Sequence, residues 1–347
     1  MSSMGPSTDM ADGGPALPDR QPDRPGTRKT QAEMTAEAVA ALENKTVVVR
    51  QRKPRKGKAP SAIDKAVDKI TGGNYFLGTG DLQSNNKRRE KFRKTVIVKM
   101  PVVIATPYGK LWSMDVLAVY HNAIKKEVMD MYNMVECMLR FQMSLGYDDV
   151  TRFFEWWDVF ESFLMDYFEL EEKVIFPYIA EKFDFADTKL SRQERMLTKA
   201  RITQFLAQID DMEDIFINRP PGECLPRFVE FLDKFTPRLL GYFNTQETIV
   251  PRTLQKFFQP DDKVIIQQTC VDWLKKTKDA TDFAENMVVQ SRWMPEAQLQ
   301  LWKRDSLRGM QRVAYPAWRG RVEAYHFVIP AEFGHRVLED ELEALQV

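Results

Sequence analysis

The sequence predicts an all-α protein: an up-and-down four-helix bundle over 101–260, a basic, disordered arm over 1–100, and a C-terminal helical extension over 261–347 packed on the bundle. Three observations carry this. Apolar residues recur at alternating steps of four and three along most of 111–258, the spacing of a helical seam of period 3.5. Short breaker segments separate the seams, and long amphipathic helices on short loops form bundles. Charge is segregated: the chain balances 50 basic against 50 acidic side chains, but residues 1–100 hold 20 and 11 of them.

Residues 1–30 are rich in Gly, Pro, Ser and Asp and poor in large apolar side chains, a composition that cannot offset chain entropy. Basic runs follow at 50–58 (RQRKPRKGK) and 87–94 (KRREKFRK). They suit a solvated arm, nuclear targeting, or contact with a polyanion such as nucleic acid. One aromatic in the second run is too few for base stacking. Gly78 and Gly80 in FLGTGDL form a turn, with no phosphate-loop context. From about 95 an extended apolar segment is broken by Pro101 and Pro107.

The first helix carries Leu117, His121, Ile124, Val128, Met131, Val135 and Met138 on one face. The second carries Phe153, Trp157, Phe160, Leu164, Tyr167, Glu171, Val174 and Tyr178. A third, over about 190–216, turns Ile202, Phe205, Ile209, Met212 and Phe216 inward, and the segment NRPPG at 218–222 stops it. A fourth, over about 224–258, carries Phe228, Leu232, Phe235, Leu239, Tyr242, Gln246 and Ile249. Asp261 suits the N-cap of a fifth helix over about 261–291. Pro295, Pro316 and Pro330 divide the remainder into shorter helices, and Trp293, Trp302 and Trp318 pack it onto the bundle. Phe154 or Trp156 marks a contact surface for the fifth helix or for a partner.

Composition also excludes classes. No apolar run is long enough to span a membrane, and no secretory signal opens the chain. Cys137, Cys224 and Cys270 are too scattered for a disulfide framework. An intracellular location, cytoplasmic or nuclear, is expected. The three histidines, His121, His326 and His335, cannot build a site that needs more. No nucleophile motif surrounds His326 or His335, so no enzyme is expected.

Polar residues interrupt the seams at His121, Glu171 and Gln246. A lone buried carboxylate is costly, so Glu171 needs a partner, a metal or a proton. A hydrogen-bonded core histidine and a carboxylate accepting from Tyr242 or His121 is one arrangement. A carboxylate-rich site drawing on Glu171, Glu172, Glu247 and Asp166 is the other. IFPYIAEKF at 175–183 also parallels IVPRTLQKF at 249–257, an internal pseudo-repeat of helix pairs.

Over residues 105–258 these features resemble the hemerythrin-like (HHE cation-binding) domain family. VLAVYHNAIKKEV at 116–128 matches the family's first helix, with His121 as its inward histidine. Glu171 and Pro177 match its second helix, but the histidine slot there holds Tyr167. In the fourth helix the slot holds Tyr242 or Phe243, paired with Gln246 or Glu247, and the third helix has no histidine in 196–201. The resemblance implies a bundle that in the family holds a di-iron centre for oxygen or nitric-oxide chemistry or iron sensing. For this chain it implies a degenerate metal site, with His121, Glu171 and Glu247 as vestigial ligands and no cofactor. The alternative is iron held by a His/Glu/Tyr set. A non-catalytic binding or scaffold protein is expected, with a protein partner on the C-terminal extension.

Overall fold

The computed structural model describes residues 99–343. The arm expected over 1–100, with both basic runs and the Gly78–Gly80 turn, lies outside the described residues except for Lys99 and Met100. Every regular element among the described residues is helical.

Residues 99–107 carry no regular element. Pro101 and Pro107 have no N–H to offer one. Side chains of the next helix pin this segment instead. Lys125 Nζ donates to Ile104 O at 2.9 Å, and the Asn122 amide donates to Thr106 O at 2.8 Å. Gly109 then turns the chain at φ +82°, a left-handed conformation that suits glycine, and its N–H donates to Asp115.

Helix α1 (Trp112–Arg140) buries its whole predicted seam. Helix α2 (Tyr147–Leu170) follows, with the Gly146 N–H donating to Asp149. It does not stop at Leu170. It widens into a π turn (Glu171–Ile175) and resumes as α3 (Phe176–Ala180). The cause is Pro177. Proline cannot donate to the carbonyl four residues back, Lys173, and its ring crowds that carbonyl. The Phe176 N–H bonds Glu171 O, five residues back, and the widened turn absorbs the conflict. One extra residue per turn shifts the register. Ile175 and Ile179 therefore face the core, while Tyr178, expected inward, is half-buried and donates to Asp262 at 2.7 Å.

Helix α4 (Arg192–Asn218) starts at Ser191, whose hydroxyl accepts from the Glu194 N–H. Helix α5 (Pro221–Phe257) contains Pro226, Pro237 and Pro251 without ending. α1 packs on α2 and α5, and α4 packs on α2 and α5, which closes a ring of four long helices. Its core includes Phe153, Trp157, Phe160, Phe216, Phe228 and Phe235. In α4 the inward position after Ile202 is Leu206, not Phe205. Phe205 falls beside α5, where the Arg238 guanidinium covers its ring at 4.7 Å.

The single helix expected over 261–291 is two, α6 (Asp262–Thr277) and α7 (Ala280–Ser291). The break is made by Asp279, whose side chain accepts from the Thr281 and Asp282 N–H groups and so starts a new helix. Asp261 makes no capping bond; the Asp262 carboxylate instead accepts from the Gln259 N–H at 2.7 Å. Then come α8 (Glu296–Ser306), α9 (Met310–Val322), a second π turn (Glu323–Phe327) and α10 (Val328–Glu343). Pro295 opens α8 as expected. Pro316 and Pro330 lie inside helices rather than dividing them. The carbonyl four residues before Pro330 belongs to His326, in the second π turn, so the first turn's logic repeats.

This extension lies mainly on the α1 face, with α6, α7 and α10 all in contact with α1. Trp293 and Trp302 are buried, and Trp318 is half-buried against Phe283. Phe154 and Trp156 are buried too. Trp156 serves the extension, stacked parallel to the His326 ring at 6.0 Å. The main clamp is Glu127 on α1, fully buried. It accepts from Arg292 Nη1 at 2.7 Å, from Trp156 Nε1 at 3.0 Å, and contacts His326 Nε2 at 3.0 Å. Arg292 also pairs with Asp130 at 2.5 Å. Burial pushes the Glu127 carboxyl pKa up, but Arg292 and His326 outweigh it and hold the group well below the usual carboxylate range. The three cysteines are buried and unbridged. Among the described residues no helix is long and apolar enough to cross a membrane.

Glu127→Ala leaves Asp130 as the one carboxylate on Arg292 and removes the buried acceptor that Trp156 and His326 share, so it is expected to cost about 3–5 kcal/mol. In a chain of this size that lowers the thermal midpoint by on the order of 10 °C. Calorimetry of the variant checks this, and a midpoint within about 2 °C of the parent would show that the clamp carries no load.

Candidate functional site

Each helix of the ring contributes polar groups to one buried network. α1 supplies His121 and Lys125, the α2 end supplies Tyr167, Glu171 and Glu172, α4 supplies Arg195 and Lys199, and α5 supplies Tyr242, Gln246 and Glu247. Both registers left open for the fourth helix contribute. Tyr242 and Gln246 point into the network, while Phe243 stacks flat on His121 at 4.1 Å and Glu247 reaches its other edge.

His121 Nδ1 contacts Glu247 Oε1 at 2.7 Å. Its Nε2 faces Tyr167 Oη at 2.6 Å and Gln246 Oε1 at 2.9 Å. The carboxylate and the amide oxygen can only accept, so the ring satisfies both when both nitrogens carry hydrogen. Tyr167 then donates to Gln246 Oε1 at 3.0 Å. The Gln246 amide nitrogen in turn donates to Glu171 Oε1. His121 makes no direct contact with Glu171, and Gln246 links the two.

Glu171 is fully buried and meets Lys199, itself 3% exposed. Lys199 Nζ lies 2.6 Å from Glu171 Oε2, 2.9 Å from Glu172 Oε1 and 3.1 Å from Phe168 O. An ammonium has three donors, and here each has an acceptor. The rings of Phe168 and Tyr242 flank it, with centroids at 5.4 and 5.9 Å. Tyr242 Oη completes the Glu171 shell, donating to Oε2 at 3.0 Å.

Glu172 and Glu247 close the ends. Arg195 grips Glu172 with two bonds of 2.8 Å. Burial raises the Glu172 carboxyl pKa, and Arg195 and Lys199 override it, leaving the group at about 2. Lys125 Nζ lies 2.6 Å from Glu247 Oε1. Burial opposes ionisation there too, and His121 with Lys125 holds the Glu247 carboxyl below its ordinary value. Burial, then the Glu171 charge, push the Tyr167 and Tyr242 phenols well up, so both remain donors. Asp166 does not join. It pairs with Lys278 and Asn286 on the extension side, and burial raises its carboxyl to about 6.

The side chains that would correspond to the family's di-iron ligands are engaged here with one another and with protein cations. Glu171, Glu172 and Glu247 are each neutralised by a side-chain cation, and both His121 nitrogens are engaged. Among the described residues no three His, Cys, Asp or Glu side chains form a group that could hold a metal ion. Lys199, which sits in the 196–201 stretch where no histidine was found, supplies the positive charge instead. It was legible: extending the α4 seam backward from Ile202 by three and then four residues reaches Lys199 and Arg195. Compared with protein-family models, with curated proteins and with solved structures, the chain matches none.

Lys199→Met leaves Glu171 charged and buried, with an expected cost of about 3–5 kcal/mol. Glu171→Gln added to it removes that charge, so the double variant should unfold at higher urea than Lys199→Met alone. Simple additivity in this cycle would mean the two side chains are not coupled. The Glu172 contribution has a defined pH sense. Its folded pKa is depressed, so its stabilisation is full above about pH 4.3 and is lost as pH falls toward 2. In Glu172→Gln the acid slope of stability between those values should flatten, as urea titrations at stepped pH would show.

Proposed function

We propose that the ring is a hemerythrin-like four-helix bundle with a degenerate cation site, and that the protein acts as a non-catalytic binding or scaffold protein. The observation that carries this is the Lys199 ammonium, seated on three oxygens amid the residues that the resemblance marks as metal ligands. A covalently attached cation cannot exchange, bind oxygen or change oxidation state. With His121, Glu171, Glu172 and Glu247 consumed by resident partners, the centre serves to lock four helices together.

Contacts with other molecules then fall to the surface. On the C-terminal extension, Met310 and Val313 lie one turn apart on α9, 76% and 71% exposed, which suits a protein partner. The basic runs at 50–58 and 87–94 suit an acidic partner or nucleic acid, through contacts that weaken as salt rises. The second reading is a cation-binding, iron- or oxygen-responsive bundle. It is favoured by the convergence of His121, Tyr167, Glu171, Tyr242 and Glu247 in one connected network.

Iron content and the optical spectrum of the full chain, purified from iron-supplemented cells, separate the two. The scaffold reading expects no stoichiometric iron and only tryptophan and tyrosine absorption. About two iron atoms per chain, lost in both His121→Ala and Glu171→Gln, would replace it with the cation-binding reading.

A further inference from the structure

We propose that the cleft between α4 and α5 is a binding site for a small phosphorylated molecule. The cleft has a volume of about 480 Å³ and lies outside the buried network, whose Tyr242 forms part of its floor. That size exceeds a phosphate group and falls in the range of small-ligand sites. This inference stands apart from the scaffold reading: its charged residues take no part in holding the core cation, and only Tyr242 is shared with the network.

Charge selects the ligand class. Lys189, Arg201 and Arg238 line the cleft, with Glu194 as the one carboxylate. No described carboxylate forms an ion pair with any of the three cations. On the same helices Lys199 and Arg195 are consumed by Glu171 and Glu172, and Lys234 by Glu230. The excess is two positive charges, which matches a phosphate monoester near neutral pH. It also runs against its surroundings, because residues 101–347 hold 30 basic and 39 acidic side chains.

Geometry supports the same class. The Arg238 guanidinium rests on the Phe205 ring at 4.7 Å, and Nη1 donates to Lys234 O at 3.0 Å. The group is thereby held in place while its remaining N–H donors have no described partner. A fixed guanidinium fork suits a phosphate better than a flexible ammonium does. Thr198 adds a hydroxyl at the wall, and Pro237 with the Tyr242 ring offers an apolar surface for the organic part.

The test is a phosphorus-31 line-shape titration of phenyl phosphate with the full-length chain, run beside Arg201→Glu, Arg238→Glu and, as a control on α9, Arg319→Glu. The parent and Arg319→Glu should broaden and shift the resonance alike. Each cleft variant should weaken binding about tenfold or more, the loss of one charge-assisted contact. Benzoate, a monoanion on the same ring, should displace the probe poorly. Equal binding by all four proteins would place the phosphate on the basic arm and overturn the proposal. Absence of any effect in the parent would overturn it as well, and benzoate competing on equal terms would overturn the phosphate assignment.

Discussion

The contact between Lys199 and Glu171 is the constraint on which the ring of helices depends. A carboxylate removed from water without a partner is prohibitively costly. An ion pair in the same place is tolerable only when the remaining hydrogen-bonding capacity is also met. Meeting it needs Tyr242 and Gln246 from α5, Phe168 O and Glu172 from the α2 end, and the orientation that Arg195 gives Glu172. Gln246 then ties Glu171 to Tyr167 and to His121 on α1. Rotating any one helix by a fraction of a turn would break several of these bonds at once. Apolar seams specify that the four helices pack, and the polar network specifies at which rotation.

The two π turns have a common origin and a common consequence. Each includes the residue whose carbonyl lies four before a proline, Lys173 before Pro177 and His326 before Pro330. Widening the helix is cheaper than breaking it when both flanks are already packed. In both places the widened turn carries a buried titratable group, Glu171 in one and His326 in the other. In the first, the shifted register lets neighbouring residues Glu171 and Glu172 reach the same ammonium. In the second, His326 is set between Trp156 and Glu127, and its Nδ1 has no described partner.

Seams of period 3.5 were readable because they depend only on which residues are apolar. Leu117 through Met138 and Phe153 through Tyr167 are buried as their spacing requires. Misplacement begins where one bond changes the count. Tyr178 lost its core position to a π turn that an apolar pattern cannot register, and the helix over 261–291 splits on the two bonds of Asp279. His121, Glu171, Tyr167, Tyr242, Phe243 and Glu247 were found because they interrupt seams or fill histidine slots. Lys199 and Arg195 escaped for the opposite reason. Cations at the start of a helix read as solvent-facing unless the apolar seam is extended back to them, and the partner carboxylates across the core are what make that inward place tolerable. The pairing of His121 with Glu247 rather than Glu171 depends on the relative rotation of α1 and α5, which one chain's periodicity does not contain.

A resident ammonium and an exchangeable ion solve the same electrostatic problem with different consequences. Both neutralise buried carboxylates at a helix junction. An ion can leave, swap ligands or accept an electron, so its site must keep spare coordination and an access path. Lys199 keeps neither: its three donors are spent, and aromatic rings flank it. Charge that can still respond to another molecule is therefore on the surface. It is concentrated where α4 and α5 leave Lys189, Arg201 and Arg238 around one cleft with no described counter-charge beyond Glu194. The same two helices thus hold Lys199 and Arg195 closed in the core and Arg201 and Arg238 open at its edge, with Lys189 just before α4 beside them, and the open ones are those that recognition can use.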